Sequence, residues 1–172
     1  MKHEVIHAEK SLATLEWLQA RNDILDAFAD LETRIAFILK RAKNLPPKGQ
    51  CLGQRLEIFR TVKANSEIAA ANLARRDTLV NSIAELLPVR ADIVHSRMKI
   101  HLIDGSPVGI FVNSHDANEK FPQNRLLTLA EMRCLVNSVQ ELTESLSKLS
   151  KPNPPFFATA TIAGRSSRSL II

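Results

Sequence analysis

The longest periodic pattern in the chain lies between about Ser11 and Lys43. Apolar residues recur there at spacings of three and four, which places them on one face of an α-helix. They are Leu18, Leu25, Phe28, Leu31, Ile35, Ile38 and Ala42, with Trp17 and Ile24 on the same side. Two charged residues, Arg21 and Glu32, fall on this face as well. A charge among packed residues is costly without a partner, so each either reaches out to water or belongs to a polar site between helices.

Prolines and polar residues divide the next part of the chain. The segment Asn44–Gly49, which contains two prolines, ends the first helix. A second helix directs Leu52, Leu56, Phe59 and Val62 inward, and Asn65 or Ser66 then marks a break or a cap before a third helix that reaches Leu87. The pattern leaves open whether these are two helices or one bent helix. Pro88 is expected to stop the third helix, and Val89–Arg97 to form a further short helix.

The apolar period then changes to two. Met98, Ile100 and Leu102 alternate with Lys99 and His101, and a second alternating run follows the turn residues 104–107. This predicts a small β-hairpin at about residues 98–112. Residues 113–125 are expected to form a polar loop. Thr128 and Glu131 have the capping-box spacing and open a last helix, with an apolar seam of Met132, Leu135, Val139, Leu142, Leu146 and Leu149.

The predicted fold is therefore all-α, an antiparallel bundle of four to five helices with a small β-hairpin insertion. Residues 1–150 form the helical domain, and the Pro-rich residues 151–172 form a tail that is mobile or ordered only against a partner. Composition agrees, because only 5 of the 172 residues are glycine and tyrosine is absent. The length suits one domain.

Net charge and cysteine content indicate which partners and which cellular compartment suit the chain. The net charge of +5 and the pI of about 9.5 permit a polyanionic partner without requiring one. Cys51 and Cys134 are expected to be reduced thiols. The N-terminus lacks the apolar run of a signal peptide, and no apolar stretch is long enough to span a bilayer. The expectation is a soluble cytoplasmic protein with no membrane association.

Several familiar site patterns can be set aside. His3-Glu4-Val5-Ile6-His7 fits the zincin pattern H-E-x-x-H, but no convincing third ligand follows, and a frayed N-terminus is the better interpretation. Asp23, Asp26 and Asp30 fit a solvated acidic face better than a metal site. Glycine-rich phosphate loops and G-x-S-x-G are absent from the sequence. No cofactor and no metal are expected.

The remaining pattern is Arg90-Ala91-Asp92-Ile93-Val94-His95, expected at the start of the short helix after Pro88. Asp92 and His95 are three residues apart and share one side of a helix. The long side chain of Arg90 can swing towards them. The segment thus predicts a cation, a carboxylate and an imidazole around one point.

This arrangement resembles the HEPN superfamily, whose mark is Arg-x4–6-His at the start of a late helix in an α-helical bundle. The string from Arg90 to His95 looks like that family's Arg-Asn-Asp-hydrophobic-Ala-His, and some members place a hairpin after it. The resemblance extends over about Ser11 to Ser150 through the order of elements. Two positions depart from it: Ala91 stands where the family often has Asn, and Ser96 where it often has Gly.

The resemblance implies a metal-independent endoribonuclease that acts as a homodimer, with the motifs facing each other. His95 is then the general acid/base, Arg90 the phosphate clamp, and Asp92 the residue that orients the imidazole or contacts substrate. Glu32 and Ser96 are assigned supporting or substrate-binding roles, with Glu32 as the candidate partner of Arg90 or of its dimer mate. RNA is the substrate, and the products carry 2′,3′-cyclic phosphates. Many relatives are toxins or defence components, so an antitoxin protein is an expected partner.

Two other interpretations stay open. The first is a non-catalytic HEPN-like dimer that binds RNA, a nucleotide or a protein, which the absence of a polar residue beside Arg90 favours. The second is a structural bundle that docks a partner through its tail, in which Arg90 and Glu32 form a structural ion network. Arg75, Arg76, Lys40, Arg41, Lys43 and Lys48 are basic residues that either guide RNA or are ordinary surface residues.

Overall fold

The computed structural model describes residues 2–44, 49–64, 68–113 and 124–149, with side chains from Thr14 onward except that of Asn113. These residues are mostly helical and include a small antiparallel sheet. The elements are α1 (Lys2–Arg41), α2 (Leu52–Thr61), a short 3-10 helix (Ala70–Asn72), α3 (Leu73–His95), β1 (Ser96–Ile103), β2 (Ser106–Asn113), β3 (Asn124–Leu127) and α4 (Leu129–Ser147). A mainly helical fold with a β insertion is thus confirmed. The predicted tail, residues 151–172, lies outside the described residues.

Helix α1 supplies the largest part of the core. It begins at Lys2, well before the predicted Ser11, and ends at Arg41. Leu18 was expected on the packed face but is 46% exposed, because it lies beyond the edge of that face. The buried residues of α1 are Trp17, Ala20, Ile24, Ala27, Phe28, Leu31, Ile35, Ile38 and Leu39. Burial of each large apolar side chain contributes about 1.5–3 kcal/mol, so α1 is the element on which the others assemble.

The chain after α1 forms two separate helices rather than one bent helix. Helix α2 ends at Thr61, and α3 begins at Leu73 after the 3-10 turn. The break expected at Asn65 or Ser66 lies outside the described residues. Leu52, Leu56 and Phe59 of α2 enter the core that α1 organises.

The predicted stop at Pro88 is wrong. Helix α3 continues through this proline to His95, so the separate helix expected at Val89–Arg97 does not exist. A proline inside a helix removes one hydrogen bond and costs about 3 kcal/mol. Val80 and Ile83 before it, and Ile93 after it, are fully buried. Burial of three such side chains, at about 1.5–3 kcal/mol each, exceeds that cost.

The insertion is a three-stranded antiparallel sheet in the order β1-β2-β3. The predicted hairpin is present, with Ile103 opposite Ser106 and a two-residue turn at Asp104 and Gly105, whose φ angles are 50° and 77°. Positive φ at both positions matches the twist of a hairpin, which favours Asp-Gly. The third strand contradicts part of the polar loop predicted at residues 113–125, because residues 124 and 125 belong to β3. It pairs with β2 and places Arg125 opposite Phe111.

Helix α4 begins where the sequence predicted. The backbone N–H of Glu131 donates to the Thr128 hydroxyl at 3.2 Å, and the N–H of Thr128 donates to the Glu131 carboxylate at 2.7 Å. The Thr128 N–H bond and a second bond to the same carboxylate, donated by the Thr128 hydroxyl at 2.8 Å, lower the pKa of Glu131 below its ordinary value. Because the folded-state pKa is depressed, the stabilisation is present at neutral pH and is lost as the pH falls through that value. Met132, Val139 and Leu146 then pack inward.

Two properties bear on the environment of the protein. Among the described helices, none combines the length and apolar character that crossing a bilayer requires. Cys51 and Cys134 carry free thiols, and both residues are exposed.

Gly109→Ala is expected to lower the free energy of unfolding by about 1–3 kcal/mol. A Cβ at this position would lie 2.8 Å from Cζ3 of Trp17, whose side chain is almost fully buried and has little room to move. Gly53→Ala in α2 is the matched control. Its added Cβ would lie 3.5 Å from Leu87 Cδ1, an ordinary contact, and alanine favours a helix. Urea unfolding measures both variants, and equal stability of the two would contradict the expected clash.

Candidate functional site

The segment from Arg90 to His95 closes a helix rather than opening one. His95 is the last residue of α3, and Ser96 adopts extended geometry as its C-cap and as the first residue of β1. The expectation that this segment starts a helix is therefore wrong, and the reason is the passage of α3 through Pro88. The position of the motif thus departs from the pattern of the HEPN superfamily.

Glu32 lies between two arginines. Its Oε2 is 3.5 Å from Nη2 of Arg90 on α3, and its Oε1 is 3.3 Å from Nη1 of Arg55 on α2. Each of the three side chains is about one quarter exposed. The carboxylate therefore joins α1, α2 and α3, and the contact expected between Glu32 and Arg90 forms within one protomer. This accounts for one of the two charges on the apolar face of α1.

Arg21, the other charge on that face, binds the end of α3. Its Nη2 donates to the carbonyl oxygens of Ile93 at 3.0 Å and of Ser96 at 3.1 Å. The last carbonyl groups of a helix have no hydrogen-bond donor within the helix, and they carry partial negative charge. A guanidinium at this position supplies the donor and a positive charge that offsets the negative one. Both unexplained charges of α1 thus act on the last two turns of α3.

Asp92 is paired with a residue that sequence reasoning missed. The Nε of Arg125 on β3 donates to Oδ2 of Asp92 at 2.6 Å, and both side chains are partly buried. The pair fastens the edge strand β3 to α3. Arg125 was assigned to a polar loop because the strand has only four residues, and the adjacent Leu126-Leu127 was the available signal of ordered structure.

The orientation of these side chains follows from the helix period. Arg90 and His95 are five residues apart, so they lie about 140° apart around α3, whereas Asp92 and His95 are about 60° apart. Arg90 bonds towards α1, and Asp92 bonds towards β3. The cation that the structure brings to the side of Asp92 and His95 is therefore Arg125.

The remaining site residues differ in access. His95 is exposed at the end of α3. Ser96 is 3% exposed, and its hydroxyl has no hydrogen-bond partner among the described atoms. A ligand at the surface therefore reaches His95 but not the side chain of Ser96.

The other groups that the sequence singled out are dispersed. Asp23, Asp26 and Asp30 line an open groove between α1 and α4 that also contains Arg133. Over the described part of the chain, no three histidine, cysteine or acidic side chains are grouped to hold a metal ion. The side chains of the H-E-x-x-H segment lie outside the described set.

The basic residues proposed to guide RNA do not share one role. Arg76 is 6% exposed and donates to the backbone oxygen of Val62 and to Asp77, so it is structural. The guanidinium of Arg41 lies 5.6 Å from the ring centre of Phe37. Lys48 lies outside the described residues.

Comparison with known proteins found no match. The chain matched no family model, no curated protein and no solved structure.

Glu32→Gln is expected to lower the free energy of unfolding by about 1–2 kcal/mol, between the values typical of exposed and of buried ion pairs. The substitution leaves Arg55 and Arg90 as two facing cations without their shared carboxylate. Glu57→Gln is the matched control, because Glu57 is 72% exposed and lies 3.9 Å from Arg60; its effect should stay within about 0.5 kcal/mol. Chemical denaturation at low salt compares them, and a Glu32 variant as stable as the control would show that the network adds nothing.

Proposed function

We propose that this chain is a non-catalytic binding module in which the segment from Arg90 to His95 is a structural joint. The observation that carries the proposal is that both charged groups needed for phosphate chemistry have partners inside the protein. Arg90 is paired with Glu32, and Asp92 with Arg125. A phosphate clamp needs a guanidinium that can turn to the phosphate, whereas that of Arg90 is held by Glu32, and the carboxylate of Asp92 already binds a cation.

Electrostatics opposes a phosphate at Arg90. An incoming phosphate would have to displace Glu32 or approach within reach of its negative charge, in a site that is only about one quarter exposed. Like charges repel more strongly where water is partly excluded. Displacement of Glu32 would also break its contact with Arg55 and with it a connection between α1 and α2.

Under this proposal the helices form an antiparallel bundle that serves as a scaffold, and the sheet offers the binding surface. The stabilising contacts gather at one end of α3, from which β1 leaves directly. Positive net charge favours an acidic partner over a basic one. RNA, a nucleotide, a protein and a second copy of the chain are the binding partners that this proposal allows.

The second candidate function is metal-independent RNA cleavage of the HEPN type, and the exposure of His95 favours it. In that function His95 is the general acid/base, and a homodimer supplies the second imidazole. Arg90 is the clamp only if it leaves Glu32, whereas Arg125 already lies beside Asp92. A toxin or defence role with an antitoxin belongs to this alternative.

An RNA cleavage assay separates the two functions. Single-stranded RNA in excess EDTA is incubated with the wild type, His95→Ala and Glu85→Ala; Glu85 is the control because it is also an exposed residue of α3. The binding-module proposal predicts no cleavage that depends on His95. It is overturned if the wild type and Glu85→Ala release fragments with 2′,3′-cyclic phosphate ends while a folded His95→Ala does not. Cleavage that survives both substitutions comes from a contaminant.

A further inference from the structure

Over the part of the chain that the structure describes, strand β1 leaves one long edge of the sheet open. It is the outer strand in the order β1-β2-β3, so one row of its backbone amide and carbonyl groups is unpaired within the sheet. Its last five residues, Lys99 to Ile103, are all exposed. The described helices therefore cover only the beginning of the strand, and along the rest no described residue prevents a second extended segment from pairing.

One face of this strand is basic. Gly109 on β2 faces Trp17 and the helices, so its neighbours Val108 and Ile110 point to the opposite face. Register places Arg97, Lys99 and His101 of β1 on that outer face, each opposite an aliphatic residue of β2. All three are exposed, and no acidic residue of the described sheet shares the face. We call these three residues the basic row.

The other face of β1 is apolar. Met98, Ile100 and Leu102 alternate with the basic row and share the face of Gly109 and Phe111. Met98 packs against the core, whereas Ile100 is 37% and Leu102 75% exposed. We call these three residues the apolar row. The edge therefore has a different chemical character on each of its two faces.

We propose that the free edge of β1 binds an extended protein segment that alternates acidic and aliphatic side chains. Such a segment pairs its backbone with β1 as an added strand. Its acidic side chains then lie beside the basic row, and its aliphatic side chains cover Ile100 and Leu102. Opposite charges and apolar groups that are adjacent across two strands both stabilise the pairing.

The same two rows disfavour the other occupants. Pairing of β1 with β1 of a second copy would bring one basic row against another, and like charges directly opposite destabilise a sheet. Single-stranded RNA would meet the basic row but would leave Ile100 and Leu102 uncovered. No aromatic side chain of the described outer face is available to stack on a base.

A basic row on an edge strand also has a simpler interpretation. Lysine and arginine at sheet edges prevent association with other strands. That device alone does not require the exposed apolar row on the opposite face, because exposed aliphatic residues at an edge increase the tendency to associate. A basic row together with an exposed apolar row favours an acidic and aliphatic strand over a basic one. An experiment can measure this difference in affinity.

This inference rests on the proposed binding role and specifies its surface and partner class. The two fail separately. Cleavage of RNA that depends on His95 overturns the binding-module proposal, whatever binds at β1. Absence of peptide binding without any cleavage overturns only the inference about β1.

The test uses the whole chain and two synthetic peptides of the length of β1, one alternating glutamate with valine and the other lysine with valine. Fluorescence anisotropy measures affinity, and hydrogen exchange locates the contact. The glutamate peptide is expected to bind, with slower exchange in residues 99–103. Lys99→Glu should weaken it about fivefold to tenfold and strengthen the lysine peptide. Lys63→Glu, a charge reversal at another exposed lysine, should change neither.

Other outcomes overturn the proposal. Equal affinity for both peptides, or a glutamate peptide that is insensitive to Lys99→Glu, excludes recognition by the basic row. Binding of a single-stranded oligouridine with loss in Lys99→Glu, while neither peptide binds, assigns the face to nucleic acid. Self-association that protects residues 99–103 assigns the edge to a second copy. No binding of any probe leaves the basic row as a device against association.

Discussion

The pairing of the Glu32 carboxylate with Arg55 and Arg90 is the interaction on which the relative arrangement of α1, α2 and α3 depends. Each of the three residues lies on a different helix, and none of the three charges is fully exposed. A lone charge in that environment would be costly, so a packing that brings all three side chains to one point is favoured over packings that separate them. Apolar burial supplies most of the stabilisation, but it is not directional. The ion network is directional, because it is formed only when the three helices have one relative orientation.

The sequence predicted the elements whose cause is local. Asp104-Gly105 has the turn chemistry of a hairpin, and Thr128 with Glu131 satisfies the first turn of a helix, so both features depend on residues close together in the chain. The same is true of the apolar face of α1, apart from its edge at Leu18. The end of α3 could not be found in this way. Pro88 is a local stop signal, and it was overruled by Val80, Ile83 and Ile93, whose burial depends on residues far away in sequence.

The candidate site shows the same limit. The position of Glu32 on an apolar face indicated either a side chain that reaches water or a polar site between helices, and the structure pairs it with Arg55 and Arg90. Arg125 was missed because a strand of four residues has no measurable period, and its pairing with Asp92 appears only once β3 lies next to α3. Whether a charged side chain serves chemistry or architecture depends on where its partner lies. That information is three-dimensional, and the six-residue motif does not contain it.

The direct passage from His95 into Ser96 has a mechanical consequence. Helix α3 becomes strand β1 without a linking residue, so the hairpin has no hinge of its own at that point. Its eight-residue first strand extends by roughly 26 Å from the end of the helix. The guanidinium of Arg21 donates hydrogen bonds on both sides of this junction, to the carbonyl oxygen of Ile93 in α3 and to that of Ser96 in β1. A load on the tip of the hairpin is therefore carried into the helical core as torque on α3, instead of being absorbed by a flexible loop.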